Sequence, residues 1–202
     1  AGGRIKHLAG VTLGAAVLFF LLIRTSAARF SRFTVFLNPD LDPQGIGYHI
    51  NQAKLAIGSG GIFGLGLGHS RQKFNYLPEV IGDSIFAVLA EEAGFILTTA
   101  LILLLLVFIL RGLKIARHAP DLFGRLLVVG IMMWVTFQTF VNIGAMVGLL
   151  PLTGLPLPLI SYGSSSVLTL LAGLGIVLNI SRNQKSATTH FSSVHIERSW
   201  KR

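Results

Sequence analysis

Residues 69–94 read HSRQKFNYLPEVIGDSIFAVLAEEAG and place Lys73, Glu79 and Asp83 just ahead of a long apolar segment. A carboxylate can accept a proton from a hydroxyl, and a cation nearby can hold an anionic group. Here the carboxylate is Asp83, at the mouth of a candidate membrane helix, with Lys73 ten residues upstream. Ionisable groups at membrane depth are costly and usually serve a site. A plainer reading makes Asp83 an N-cap or a first-turn partner of the helix dipole. The residues alone leave both readings open.

The elements that must position these groups are set by composition. Of 202 residues, 52% are hydrophobic and only 12% charged, against roughly 25% charged in a soluble domain. Mean hydropathy is +0.70. These values define an all-α integral membrane protein rather than a soluble one. Net charge is +9. The basic residues flank apolar segments, which points to topology and contact with membrane lipids, not to nucleic acid. The absence of cysteine excludes disulfides and thiolate metal sites. No cleavable signal pattern is present, and a start at Ala1 suggests the later part of a longer protein.

Four segments have roughly the 17–25 apolar residues a bilayer crossing needs: 8–23, 84–110, 126–150 and 164–180, the first and last slightly short. The link 111–125 holds Arg111, Lys114, Arg117 and Arg125 against Asp121. The tail adds Arg182, Lys185, Arg198, Lys201 and Arg202, and the start has Arg4 and Lys6. By the positive-inside rule these parts are cytoplasmic. The long loop 24–83 and the uncharged loop 151–163 then share the outer face. The tail 184–202, polar and without apolar period, reads as disordered.

Each outer loop carries its own signal. In the first, residues 51–57 suit a short interfacial helix. Six glycines follow within 58–68; such a run either brings N–H groups to a phosphate or permits tight packing. In the second, three prolines between 151 and 158 forbid a regular helix although the sequence is apolar. Such backbone must be buried in protein or line a cavity. Ser161, Tyr162 and Ser164 to Ser166 offer hydroxyls there, and Gly163 allows close backbone approach; the serines also suit helix capping.

Residues 93–110 carry no charge and would span roughly 27 Å. Glu91 and Glu92 then mark the outer edge, with Asp83 about two turns further out. Helical angles separate Asp83 from both glutamates, so they form no paired-carboxylate site. Gln138 and Asn142, four residues apart in an apolar helix, either bond to another span or line a substrate path. No HExxH, GxSxG or Cys–His arrangement occurs, and the six histidines are scattered, so no protein-built metal site is expected.

Three segments carry a family resemblance: DPQGIGYHINQAKLAIGSGGIFGLGLGHSRQKFNYLPE, DSIFAVLAEEAG, and NIGAMVGLLPLTGLPLPLISYGSSS. They resemble the SEDS proteins of shape, elongation, division and sporulation, the group of FtsW, RodA and SpoVE, with YLPEVIGDSIFA most like FtsW. The chain looks like the last four of the family's ten or so spans, with its large outer loop. The resemblance implies a peptidoglycan glycosyltransferase that polymerises lipid II at the outer face of the bacterial plasma membrane. It implies work beside a class B penicillin-binding protein and other divisome membrane proteins. It makes Asp83 the essential aspartate. Lys73 and the weaker Arg71 become candidates for the leaving diphosphate, and Glu79, Gln52, Ser161, Tyr162 and Gly163 candidates to line the substrate pocket. No cofactor is certain; a divalent cation, Mg or Mn, on the diphosphate is one expectation. This chain has Ile81-Gly82 where His-Thr is usual, Ser164 in place of a glycine, and His49 where Gln is common. The competing classes are a lipid II flippase, which wants polar groups at the membrane midplane, and a non-catalytic divisome scaffold.

Overall fold

The structure is a computed structural model that describes residues 5–73, 77 and 82–199. Among these residues there are helices and turns and no strand. The order is α1 (Ile5–Thr25), α2 (Ala27–Leu37), a 3₁₀ turn at Pro39–Leu41, α3 (Ile46–Ser59), α4 (Ile85–Arg117), α5 (Leu122–Val147) and α6 (Ser164–Ser199). Among the described residues, three stretches are long and apolar enough to cross a membrane: Ile85–Arg117, Leu122–Val147 and Ser164–Asn183. A fourth crossing is reached only by joining α1 and α2, which meet at a 97° bend. The bend falls at Ser26, whose extended backbone (φ −121°, ψ 113°) interrupts the helix.

The long helices form because uninterrupted apolar sequence satisfies its backbone internally, as a bilayer demands. Local chemistry then sets their ends. Asp121 caps α5 by accepting from Gly124 N at 2.8 Å. Gly148 closes α5 in the left-handed conformation at φ 81°, and Leu149 N returns to Gly144 O at 2.8 Å. Lys114 and Arg117 occupy the last turn of α4, where they complement the helix dipole.

Two apolar cores hold the bundle. One joins Ile50, Ala53 and Ala56 of α3, Phe86 and Ala87 of α4, Ala145 and Met146 of α5, and Leu152 and Leu157 of the following loop. The other joins Ile109, Ala116, Val128, Met132 and Val177 at the opposite end. Within it, Gly112 admits Met132: a Cβ at Gly112 would fall 2.4 Å from the Met132 sulfur. Among the described elements, α1 packs only against α2.

Residues 51–57 lie within the longer α3, whose Ile50, Ala53 and Ala56 are buried against α4 and α5 while Lys54 and Leu55 are exposed. The backbone of α6 is helical to Ser199, past the start of the polar tail at residue 184.

Candidate active site

Asp83 sits in the turn before α4, half-buried. It is not the helix cap. The cap position is Ser84, and the Ser84 side chain makes no bond to the first turn of α4. Instead Ser84 Oγ, fully buried, donates to Asp83 Oδ1 at 3.2 Å. Ser84 Oγ also bonds His49 Nε2 of α3 at 2.6 Å. Oδ2 faces the second loop, where a side chain at Gly154 would approach to 3.9 Å. Among the described residues Asp83 forms no ion pair.

Helix α5 ties this turn to that loop. Asn142 Nδ2 donates to the Asp83 carbonyl at 2.8 Å and to the Leu155 carbonyl at 2.7 Å. One turn along, Gln138 Nε2 donates to Pro156 O at 2.8 Å. A proline-rich loop cannot satisfy its own carbonyls by helix formation. The two amides of α5 do so for it, and in the same act fix Asp83 beside it.

The loop carrying Lys73 and Arg71 is organised by a buried carboxylate. Glu91, 1% exposed, accepts from Ser70 Oγ at 2.5 Å, Arg71 N at 3.1 Å and Gln72 N at 3.4 Å. Ser70 Oγ in turn accepts from Lys73 N at 3.0 Å. Lys73 Nζ lies 3.9 Å from Glu92 Oε1. Both glutamates, placed by span length at the outer edge of the apolar run, are buried among the protein's own residues. A charge at this depth needs several donors, and residues 70–72 supply them to Glu91.

The glycine run explains how that loop reaches α4. Gly94 breaks α4 with φ 72° and ψ −176°, a conformation open essentially to glycine alone. The break frees carbonyls above it and amides below it. Leu65 N and Gly66 N donate to the Glu91 and Glu92 carbonyls at 3.0 and 3.1 Å, and Phe95 N and Ile96 N donate to the Gly61 and Ile62 carbonyls at 2.9 and 3.3 Å. A Cβ at Gly64 would stand 2.1 Å from Glu92 O, and one at Gly94 would stand 2.2 Å from Gly64 N. Of the two readings of the run, tight backbone packing is the one its geometry uses.

The remaining sequence candidates divide. Gln52 is half-buried on α3, with Oε1 buried and without a hydrogen-bond partner among the described residues. Ser161 is buried and committed to its own turn, accepting from Leu157 N at 2.7 Å. Tyr162 points outward, 78% exposed. Gly163 O accepts from Val167 N at 2.8 Å and opens α6. Glu79 lies outside the described residues. His49, Ser84 and Glu91 join the frame without a motif in the sequence that assigns them to it. Glu91 had a signal, as a carboxylate followed by an unbroken apolar run. His49 and Ser84 meet across 35 residues, and nothing local announces that. Among the described residues, no group of three His, Asp or Glu gathers around one metal position.

Fold and site together define a multi-pass helical membrane protein with an ordered carboxylate at one end of its bundle. The family model described as "Cell cycle protein", that of FtsW, RodA and SpoVE, matches residues 1–186, and the chain belongs to this family. It is 47% identical over 182 residues to stage V sporulation protein E of Bacillus subtilis, covering 90% of this chain and 50% of that one. It is 43% identical over 187 residues to the probable peptidoglycan glycosyltransferase FtsW of Trichlorobacter lovleyi, covering 93% and 49%. A solved peptidoglycan synthase complex that coordinates polymerization and crosslinking superimposes with a TM-score of 0.66 at 30% identity, covering 89% of this chain and 49% of that one. The chain spans about half the length of the curated relatives it matches.

Proposed function

We propose that this chain carries the catalytic aspartate of a peptidoglycan glycosyltransferase that polymerises lipid II at the outer face of the plasma membrane. The observation that supports this most is the state of Asp83. One of its oxygens is held by Ser84 and the other faces an apolar loop that α5 pins in place. Asp83 Oδ2 is the general base. It takes the proton of the acceptor sugar hydroxyl, whose oxygen attacks the anomeric carbon of the lipid-linked donor. The bond from that carbon to the diphosphate breaks, the diphosphate leaves with the electron pair, and the anomeric centre inverts. Such a base must stand within about 3 Å of the proton it removes. The fixed backbone of Asp83 serves that demand.

Lys73 and Arg71, on the segment held by Glu91, attract the diphosphate. Lys73 is 43% exposed and its contact with Glu92 is long, so it can leave that partner for a phosphate oxygen. A divalent cation on the diphosphate would take its ligands mainly from the diphosphate itself. Glu79, Gln52, Ser161, Tyr162 and Gly163 remain candidates for the pocket wall, with Ser161 acting through the loop it braces. The missing wall comes from the half of the relatives' length that this chain does not span. The basic link between α4 and α5 supports an orientation with both ends of the chain cytoplasmic. The likeness to a synthase complex supports a penicillin-binding protein as partner.

A flippase is the second reading, favoured by the polar pair Gln138 and Asn142 inside α5. The amide N–H groups of both donate to backbone carbonyls at the site, which argues for the polymerase, while Asn142 Oδ1 is buried without a partner among the described residues. The intact protein in vesicles with lipid II decides between them. The polymerase produces glycan strands that a gel resolves. Movement of lipid II across the bilayer without strands would establish the flippase instead.

A further inference from the structure

Resting on the reading of Asp83 as base, we infer that His49 is a positioning residue for it, acting through Ser84. A serine hydroxyl has one proton to give. When Ser84 gives it to Asp83 Oδ1, the 2.6 Å bond between Ser84 Oγ and His49 Nε2 must be donated by the imidazole. The result is a directed chain: His49 Nε2–H to Ser84 Oγ, and Ser84 Oγ–H to Asp83 Oδ1. Its consequence is asymmetry. Oδ1 is occupied inside the protein, and Oδ2, toward Gly154, is left to meet the substrate. Without the imidazole donor the Ser84 proton loses the contact that turns it toward Oδ1, and the hold on the carboxylate's χ2 weakens.

The parts of this chain are anchored independently of one another. Ser84 is fully buried at the start of α4. His49 stands on α3, whose neighbours Ile50 and Ala53 belong to the core that α4 also joins. The Asp83 carbonyl is held separately by Asn142. Backbone and carboxylate of the same residue are thus fixed from two different helices, α5 and α3. What the site needs from position 49 is an N–H donor, and a glutamine amide also offers one.

The test uses the intact protein in lipid vesicles, with lipid II polymerisation rates measured over a range of substrate concentrations. His49→Leu lowers kcat about tenfold or more, equivalent to the loss of one hydrogen bond in the transition state, and leaves KM within about twofold. His49→Gln recovers most of that loss. Ser84→Ala, a smaller change at a buried position, reproduces the kcat defect, and the double variant loses no more than either single one. His49→Leu turning over at the wild-type rate overturns the inference, as does His49→Gln being as impaired as His49→Leu. Asp83→Asn run in parallel separates the two levels. An inactive Asp83→Asn beside a fully active His49→Leu removes only the inference about His49. An active Asp83→Asn removes the base and the inference with it.

Discussion

Replacing Glu91 by glutamine should loosen the loop that carries Arg71 and Lys73 while leaving the helices intact. The carboxylate accepts three hydrogen bonds from residues 70 to 72, two of them from backbone amides. Hydrogen bonds to a charged group contribute about 1.5–3 kcal/mol each. A glutamine keeps one oxygen. Placed toward Ser70 and Gln72, it preserves two bonds in neutral form and turns its NH₂ on the Arg71 N–H, donor against donor. The local cost is then about 2 kcal/mol or more, which raises the opening of this segment roughly 30-fold at 1.4 kcal/mol per decade. Hydrogen exchange followed by mass spectrometry, on the protein in vesicles, reads this directly. Peptides covering residues 70–73 should exchange at least tenfold faster in Glu91→Gln, and faster still in Glu91→Ala, while α5 keeps its protection. Unchanged exchange at 70–73 in both variants would refute the idea that Glu91 organises the loop.

Gly94→Ala forces an alanine into φ 72°, ψ −176° and sets its Cβ 2.2 Å from Gly64 N. The conformation alone costs about 1–3 kcal/mol, so folded yield and thermal stability should fall sharply; a wild-type melting temperature would show that the break in α4 can be repaired. Asn142→Leu leaves the Asp83 and Leu155 carbonyls without their donor, at about 1–3 kcal/mol each. It should lower both melting temperature and turnover, and turnover near the wild-type rate would deny the amide its part in the site.

How much of this was legible in the sequence varied with the kind of interaction. Helices α4 and α5 follow from apolar runs on either side of a basic link, because the bilayer enforces internal hydrogen bonding. Asp83 stood out because a carboxylate beside such a run is rare. The break at Gly94 did not. One glycine in an apolar helix reads as a packing residue, and only the docking of residues 61–66 against it shows that α4 is interrupted. Glu91 and Glu92, beside that break, are buried in the protein, where a straight-helix ruler shows only charges at the end of an apolar run. Gln138 and Asn142 were recognisable as a polar pair on one face. Their targets, loop carbonyls at Pro156, Leu155 and Asp83, belong to tertiary geometry. Ser161 and Tyr162 are neighbours in sequence, yet the turn bonded to Ser161 buries the one and leaves the other exposed.

The central claim is that the Asp83 carboxylate removes the acceptor proton. The direct measurement is the rate of lipid II polymerisation by the intact protein carrying Asp83→Asn, which keeps shape and removes the base. The account predicts a fall of at least about a hundredfold, the lower range for loss of a general base, with the protein folded and lipid II still bound. A folded Asp83→Asn protein polymerising within about twofold of the wild-type rate would contradict it.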